Sequence, residues 1–188
     1  MIRPSHDNAT EIAEAYGVSR EKFLEKSKTF LDLFRIGKIS ENKFWKGVSS
    51  SLGKDVPKDS KKLWRNDIEA MPSYDKMFDF VEQLKKIGIK TAVLSNVIKP
   101  HMQITKKNGG YKCFDKLILS CQVGLAKPDS AIYLLTVKKL KVKPEECIFI
   151  DDSEINLKTA EKLGMKVVLA KNSEQVIRDV KNLIEIRN

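Results

Sequence analysis

Apolar residues in the first 71 positions recur three or four apart, which is the spacing of one helix face. The helices predicted from this spacing cover residues 20–34, 41–52 and about 60–68. Ser19 and Ser40 stand directly before the first two, where a serine can cap a helix. The first part of the chain is therefore predicted to be a small helical bundle, with Trp45 and Trp64 packed at its centre.

From residue 72 onward, short apolar runs alternate with amphipathic stretches. The apolar runs predict buried strands over residues 89–94, 117–119, 147–150 and 167–170. The amphipathic stretches predict helices over residues 74–87, 129–140, 154–163 and 174–186, the last capped by Ser173. This alternation predicts an α/β fold with a parallel sheet, in which functional residues lie beyond the carboxyl ends of the strands.

The composition and charge of the chain indicate which kinds of partner it can bind. The chain has 188 residues, 41% hydrophobic and 32% charged, which suits a globular core domain with an insert. The net charge of +10 favours anionic substrates, but the lysines are scattered and not interleaved with aromatic residues, so we predict no nucleic-acid partner. No apolar run reaches the ~20 residues of a membrane helix and no signal-peptide pattern is visible, so we predict a cytoplasmic protein without a membrane partner. The cysteines and histidines match no metal or redox spacing.

Polar residues follow the first two predicted strands. Ser95 and Asn96 come after the first, where a hydroxyl and an amide can donate hydrogen bonds to an anion, although this pair is also common in turns. Lys127 and Pro128 come after the second, at the start of a helix. There the lysine charge can hold a phosphoryl group, with a plain surface lysine as the alternative.

Two adjacent carboxylates, Asp151 and Asp152, follow the third strand. Carboxylates at the end of a buried strand are costly unless something compensates their charge. A hard cation is the natural compensation, because Mg²⁺ takes one or two protein carboxylates. Helix capping is the alternative, but one aspartate would be enough for it.

In chain order, these three segments resemble motifs II, III and IV of the haloacid dehalogenase-like (HAD-like) hydrolase superfamily. The likeness is strongest over residues 124–133, GLAKPDSAIY, and 149–164, FIDDSEINLKTAEKLG. The upstream helices resemble the cap that one branch of the superfamily inserts after motif I. The resemblance covers essentially the whole chain, and it implies a Rossmann-like parallel-sheet core over residues 73–188 and an inserted α-helical cap over residues 1–72.

The resemblance also implies roles at the site. Ser95 would bind the transferring phosphoryl group, and Asn96 would support its loop. Lys127 would clamp the phosphate and the nucleophile electrostatically. Asp152 would ligate Mg²⁺ directly, while Asp151 would assist through water.

A first motif, Asp-x-Asp after a strand, is also implied, but the sequence contains none before the cap. Its first aspartate would attack phosphorus to form an aspartyl-phosphate, and its second would act as general acid and base. Its strand would lie between those that end at Ser95 and Asp151. We therefore expect the N-terminal central strand to be missing, and the chain to be a truncated form that is inactive as written.

Three functions stay open. The first is a Mg²⁺-dependent phosphatase of a small phosphorylated metabolite. The second is a non-catalytic HAD-like binding or regulatory protein that has lost motif I. The third is a 2-haloacid dehalogenase, which needs no Mg²⁺ and which the pair of Asp151 and Asp152 disfavours.

Overall fold

Helices and short strands alternate along the chain in this computed structural model, which describes residues 9–62, 65 and 75–185. The helices are α1 (Ala9–Ala15), α2 (Arg20–Arg35), α3 (Glu41–Leu52), α4 (Asp75–Lys86), α5 (Lys99–Lys107), α6 (Ser120–Val123), α7 (Ser130–Leu140), α8 (Glu154–Lys162) and α9 (Ser173–Glu185). The strands are β1 (Ala92–Ser95), β2 (Lys116–Leu119), β3 (Ile148–Asp151) and β4 (Lys166–Leu169). This order confirms the predicted α/β class.

Helices α1, α2 and α3 form a layer of their own, called here the helical layer. The side chain of Ser19 accepts a hydrogen bond from the Lys22 amide, and that of Ser40 accepts one from the Lys43 amide. Both predicted N-caps are therefore confirmed. The third predicted helix is described only at residues 60–62 and 65, which are helical, and the rest of it lies outside the described residues.

Aromatic rings fill the centre of the helical layer. The ring centroids of Phe34 and Phe44 are 5.3 Å apart, and those of Phe44 and Trp45 are 4.9 Å apart in an edge-on arrangement. Phe44 and Trp45 are almost fully buried. The predicted central position of Trp45 is thus confirmed, whereas Trp64 lies outside the described residues.

The strands pair in parallel, but in two separate pairs. β1 pairs with β2 so that Ser95 lies opposite Leu119, and β3 pairs with β4 so that Asp151 lies opposite Leu169. Among the described residues, no strand pairing joins β1 to β3. The expectation that a central strand between them is missing from this chain stays a prediction.

β1 begins later than the sequence predicted. Gly88 has a φ of +81°, and the Ile89 amide donates to the Leu84 carbonyl, so residue 89 belongs to the turn that closes α4. The Thr91 amide is held by a carboxylate oxygen of Asp115 at 2.7 Å rather than by a neighbouring strand. An apolar residue in a helix-closing turn lengthened the apolar run and shifted the predicted start.

Separate clusters of buried apolar residues lie in the helical layer and around the strands. One lies within the helical layer, and it also takes in Ile98 from the segment that follows β1. Another joins α7 and α8 to the strands through Ile118, Ile132 and Tyr133. The proposed boundary at residue 72 lies outside the described residues, so the division into a cap and a core stays a prediction.

Candidate functional site

The carboxyl ends of β1 and β3 carry the predicted residues and come together through Lys127. Ser95 is the last residue of β1, and Asp151 is the last residue of β3. Lys127 lies in the segment between α6 and α7 and contacts residues at both ends. Four of the five predicted site residues, Ser95, Asn96, Lys127 and Asp151, thus lie at one edge of the two strand pairs, as expected for parallel strands.

Asn96 holds the main chain of Lys127 with both ends of its side-chain amide. Its Nδ2 donates to the Lys127 carbonyl oxygen at 2.8 Å, and its Oδ1 accepts from the Lys127 amide at 2.8 Å. The side-chain amide thus uses a donor and an acceptor on the main-chain N–H and C=O of the same residue. Asn96 therefore fixes the point from which the Lys127 side chain extends.

The ammonium group of Lys127 is paired with a buried carboxylate. Its Nζ lies 2.5 Å from Asp151 Oδ2, and the two side chains are only 10% and 5% exposed. The same Nζ lies 5.6 Å from the centroid of the Phe149 ring, within range of a cation–π contact. These contacts fix the position of the enclosed ammonium group, so Lys127 differs from the plain surface lysine that the sequence left as the alternative.

Asp151 has a partner for each oxygen. While Oδ2 faces Lys127, Oδ1 accepts from the Ser153 amide and from Asn156 Nδ2, both at 2.9 Å. Burial by itself would raise the pKa of Asp151, but the positive charge of Lys127 and these hydrogen bonds together hold that pKa below its ordinary value. The carboxylate is therefore kept ionised, and Lys127 provides the compensation that the sequence argument assigned to a cation.

Tyr133 and Phe149 contact residues of the site. The sequence did not identify either of them as a site residue. Their rings meet edge-on with centroids 5.1 Å apart, and the Tyr133 hydroxyl donates to the Asn156 carbonyl at 3.0 Å. Burial raises the pKa of Tyr133, and the negative charge of Asp151 adds to the effect. Both residues lie inside the two segments on which the resemblance rests, and that position was the available signal.

The side chains of Ser95 and Asp152 make no hydrogen bond or ion pair within the described part of the chain. Ser95 is half-buried, and no hydrogen bond to its hydroxyl occurs among the described residues. Asp152 is exposed, and within the same residues it makes no ion pair. Both groups are thus available to an outside ligand, whereas the side chains of Asp151 and Asn96 already bond to protein groups.

The donor set fits a magnesium ion only in part. Asp152 offers a carboxylate without a competing cation, and Mg²⁺ can bind through one or two carboxylates completed by water and phosphate oxygens. Over residues 9–62, 65 and 75–185, no group of three or more histidine, cysteine, aspartate or glutamate side chains could hold a metal.

The same part of the chain holds no helix with the length and apolar character needed to cross a membrane.

Comparison with known proteins gives a family and a set of relatives. A family model described as haloacid dehalogenase-like hydrolase matches residues 3–164. Bifunctional epoxide hydrolase 2 of Mus musculus is 43% identical over 105 residues, which are 53% of this chain and 19% of that protein. Flavin mononucleotide hydrolase 1 of Arabidopsis thaliana is 41% identical over 64 residues, which are 34% of this chain and 26% of that protein. The chain spans about a fifth of the length of the first curated relatives it matches.

A solved structure covers most of the chain. It is a HAD family enzyme from Bacteroides thetaiotaomicron in complex with magnesium and inorganic phosphate. It is 25% identical with a TM-score of 0.75, and the match covers 91% of this chain and 89% of that one. The fold of the described residues is therefore the fold of that enzyme.

Proposed function

Since this chain belongs to the haloacid dehalogenase-like hydrolase family, we propose that its site is the phosphoryl-binding part of a Mg²⁺-dependent phosphatase of small phosphorylated metabolites. The observation that carries the proposal is the enclosed Lys127 ammonium, held between Asp151 and Phe149, with Ser95 at the carboxyl end of β1. The flavin mononucleotide hydrolase and the complex with magnesium and inorganic phosphate support the same reaction class.

Lys127 and Ser95 do the binding in this proposal. The Lys127 ammonium offsets the charge that builds on phosphoryl oxygens, and a fixed charge in an enclosed site does so more strongly than one in water. Ser95 donates a hydrogen bond from its hydroxyl to the same group. Asn96 and Asp151 touch Lys127 and keep its ammonium at the edge of the strands, so they position the charge.

Asp152 is the residue we expect to hold Mg²⁺. Asp151 would act through water, because each of its oxygens already accepts from Lys127 or from Ser153 and Asn156. A bound Mg²⁺ would supply Lewis-acid stabilisation of the phosphoryl oxygens.

Turnover needs a carboxylate nucleophile as well. An aspartyl-phosphate forms when a carboxylate attacks phosphorus, and the family resemblance assigns that attack to the first aspartate of Asp-x-Asp and not to Asp151. The Asp-x-Asp segment that the family resemblance implies is absent from the sequence. We therefore expect the 188-residue chain to bind phosphate with Mg²⁺ present and to release none from phosphate esters.

The proposal is tested by titrating inorganic phosphate into the protein in a calorimeter, with and without MgCl₂. Wild type should bind, and Lys127→Met should weaken binding by roughly 10- to 100-fold, the effect of losing a hydrogen bond to a charged group. Lys76→Met is the matched control, because Lys76 pairs with Glu174 on the exposed surface. That control should bind as wild type does.

Absence of phosphate binding in wild type, or equal binding by Lys127→Met, would overturn the proposal. A parallel assay measures the release of phosphate and halide from p-nitrophenyl phosphate, flavin mononucleotide and a 2-haloacid. Halide release would favour a dehalogenase instead. Phosphate release that Mg²⁺ increases would support the phosphatase and overturn the expected inactivity of the chain.

A further inference from the structure

Ser120 connects the candidate site to the helical layer through one buried hydroxyl. The residue is fully buried at the end of β2, where it begins α6. Its Oγ accepts a hydrogen bond from the Val97 amide at 2.9 Å and lies 2.7 Å from the Arg35 carbonyl oxygen. The Val97 carbonyl oxygen is farther away, at 3.2 Å. A hydroxyl has a single proton, so the shorter contact assigns it to Arg35.

The two partners of Ser120 belong to different parts of the molecule. Val97 directly follows Ser95 and Asn96, so a bond to its amide fixes the main chain that presents the Ser95 hydroxyl. Arg35 is the last residue of α2, and its carbonyl is one of those that a helix leaves without an internal partner. One side chain therefore holds both the end of a helix and the loop of the site.

A close main-chain approach lies next to this bond. Gly37 has a φ of +73°, and a Cβ built on it would lie 2.4 Å from the Cys121 carbonyl oxygen. Ile98, which follows Val97, is buried in the apolar cluster of the helical layer. These contacts form a seam between the helical layer and the site, made by Arg35 and Gly37 on one side and Val97, Ile98 and residues 120–121 on the other.

We propose that Ser120 is a positioning residue that couples the packing of the helical layer to residues 95–97, the main chain that presents the Ser95 hydroxyl. This inference rests on the proposed function for the identity of the ligand. Coupling of this kind is reciprocal. A ligand that orders the Ser95 loop stabilises the seam, and a seam that opens weakens binding of the ligand.

The first experiment compares amide hydrogen exchange in wild type, Ser120→Ala and Ser49→Ala, without ligand. Ser49 is the control, because its buried hydroxyl bonds to Tyr16 within the helical layer and away from the seam. Ser120→Ala should speed exchange at the Val97 amide and also at the Gly37 and Lys38 amides beyond α2. Ser49→Ala should leave the Val97 amide unchanged. Faster exchange on one side of the seam only, or the same pattern in both variants, would overturn the coupling.

The second experiment measures the dissociation constant of inorganic phosphate with MgCl₂ present. Ser120→Ala should raise it by roughly two- to tenfold, the range expected for one lost hydrogen bond. With phosphate bound, wild type should show slower exchange at the Lys38 amide, and Ser120→Ala should not. Equal affinities in Ser120→Ala and Ser49→Ala would overturn the proposal.

A glycine pair provides an independent test that leaves Ser120 in place. Gly37→Ala forces the seam apart at the Cys121 carbonyl, whereas Gly53→Ala puts the same side chain on a similar left-handed φ of +64° with no atom within 4 Å. The difference between the two isolates the clash from the backbone strain. Gly37→Ala should reproduce the changes of Ser120→Ala, and a match to Gly53→Ala would contradict the proposal.

The two proposals fail in different ways. If wild type binds no phosphate, the proposed function is wrong. The exchange measurements without ligand still decide whether Ser120 joins the two sides of the seam. If wild type binds phosphate but Ser120→Ala leaves exchange at Val97 and Lys38 unchanged, only the coupling is wrong.

Discussion

At the scale of single residues, the site is organised by the buried pair of Lys127 and Asp151. Removing one partner of such a pair leaves an uncompensated charge, which is far costlier than losing an exposed ion pair. Asp151 is thereby kept ionised and in place, while Asp152 stays exposed. Two neighbouring aspartates thus have different surroundings, which their adjacency in the sequence could not show.

The depressed pKa of Asp151 makes a prediction about acid stability. Its folded-state pKa lies below the ordinary value of 3.8. Its contribution is fully present above pH 3.8, and it is lost as the pH falls through the folded-state pKa, because the unfolded chain takes up the proton first. The free energy of unfolding of wild type, measured by urea denaturation, should therefore fall more steeply below pH 3.8 than that of Asp151→Asn.

The Lys127→Met background is the control for that measurement. The charge of Lys127 is the main factor that lowers the Asp151 pKa. In the Lys127→Met background, Asp151→Asn should therefore change the acid dependence of the free energy of unfolding less than it does in wild type. An advantage of wild type over Asp151→Asn that grows as the pH falls would contradict the prediction. It would mean that burial outweighs Lys127 and raises the pKa.

At the scale of elements, the sequence predicted all four strands and the longer helices, but it missed α1, α5 and α6, and its boundaries were less accurate. Caps formed by a local side chain, such as Ser19 and Ser40, were read correctly because their hydrogen bonds span three residues. The predicted start of β1 was wrong because the apolar Ile89, which lengthened the apolar run, belongs to the turn that closes α4. At α9 the predicted cap Ser173 is also wrong. Ser173 is the first helical residue, and the side chain of Asn172 accepts from the Gln175 amide at 2.9 Å.

This corrected cap gives a prediction for α9, which packs Val176 and Val180 into an apolar cluster. Asn172→Ala should lower the free energy of unfolding by about 1 kcal/mol, the typical effect of losing an N-cap. Ser173→Ala, the matched control one residue later, should change it by less than about 0.5 kcal/mol. Urea denaturation followed by circular dichroism measures both, and the reverse ranking would restore Ser173 as the cap.

At the scale of the whole molecule, the helical layer and the strand pairs meet at a narrow seam. Ile98 is 5% exposed and joins an apolar cluster whose other buried members all belong to the first 52 residues. The polar bond of Ser120 and the approach of Gly37 to Cys121 lie beside it. The end of β1 and the segment after it therefore contribute both to the site, through Ser95 and Asn96, and to the attachment of the helical layer, through Ile98.

Ile98→Ala should consequently destabilise the whole molecule. Truncating a buried isoleucine to alanine typically lowers the free energy of unfolding by about 2–5 kcal/mol. Ile155→Ala is the control, because Ile155 is 62% exposed and its truncation should change that free energy by less than about 0.5 kcal/mol. Urea denaturation of both variants makes the comparison. An equal effect of the two would show that Ile98 does not carry the seam.

The sequence by itself determined the α/β class, the order of the four strands and the residues at the strand ends. These follow from periodicity and from motifs that are continuous along the chain, so local information is enough. Tertiary structure decided how those residues are used. The bond from Lys127 to Asp151 spans 24 positions, that from Asn96 to Lys127 spans 31, and that from Ser120 to Arg35 spans 85. Contacts at such separations depend on how the elements pack, which no local pattern records. The sequence therefore named Lys127 and Asp151 as site residues, but only the fold made each the other's partner and revealed Ser120 between the site and the helical layer.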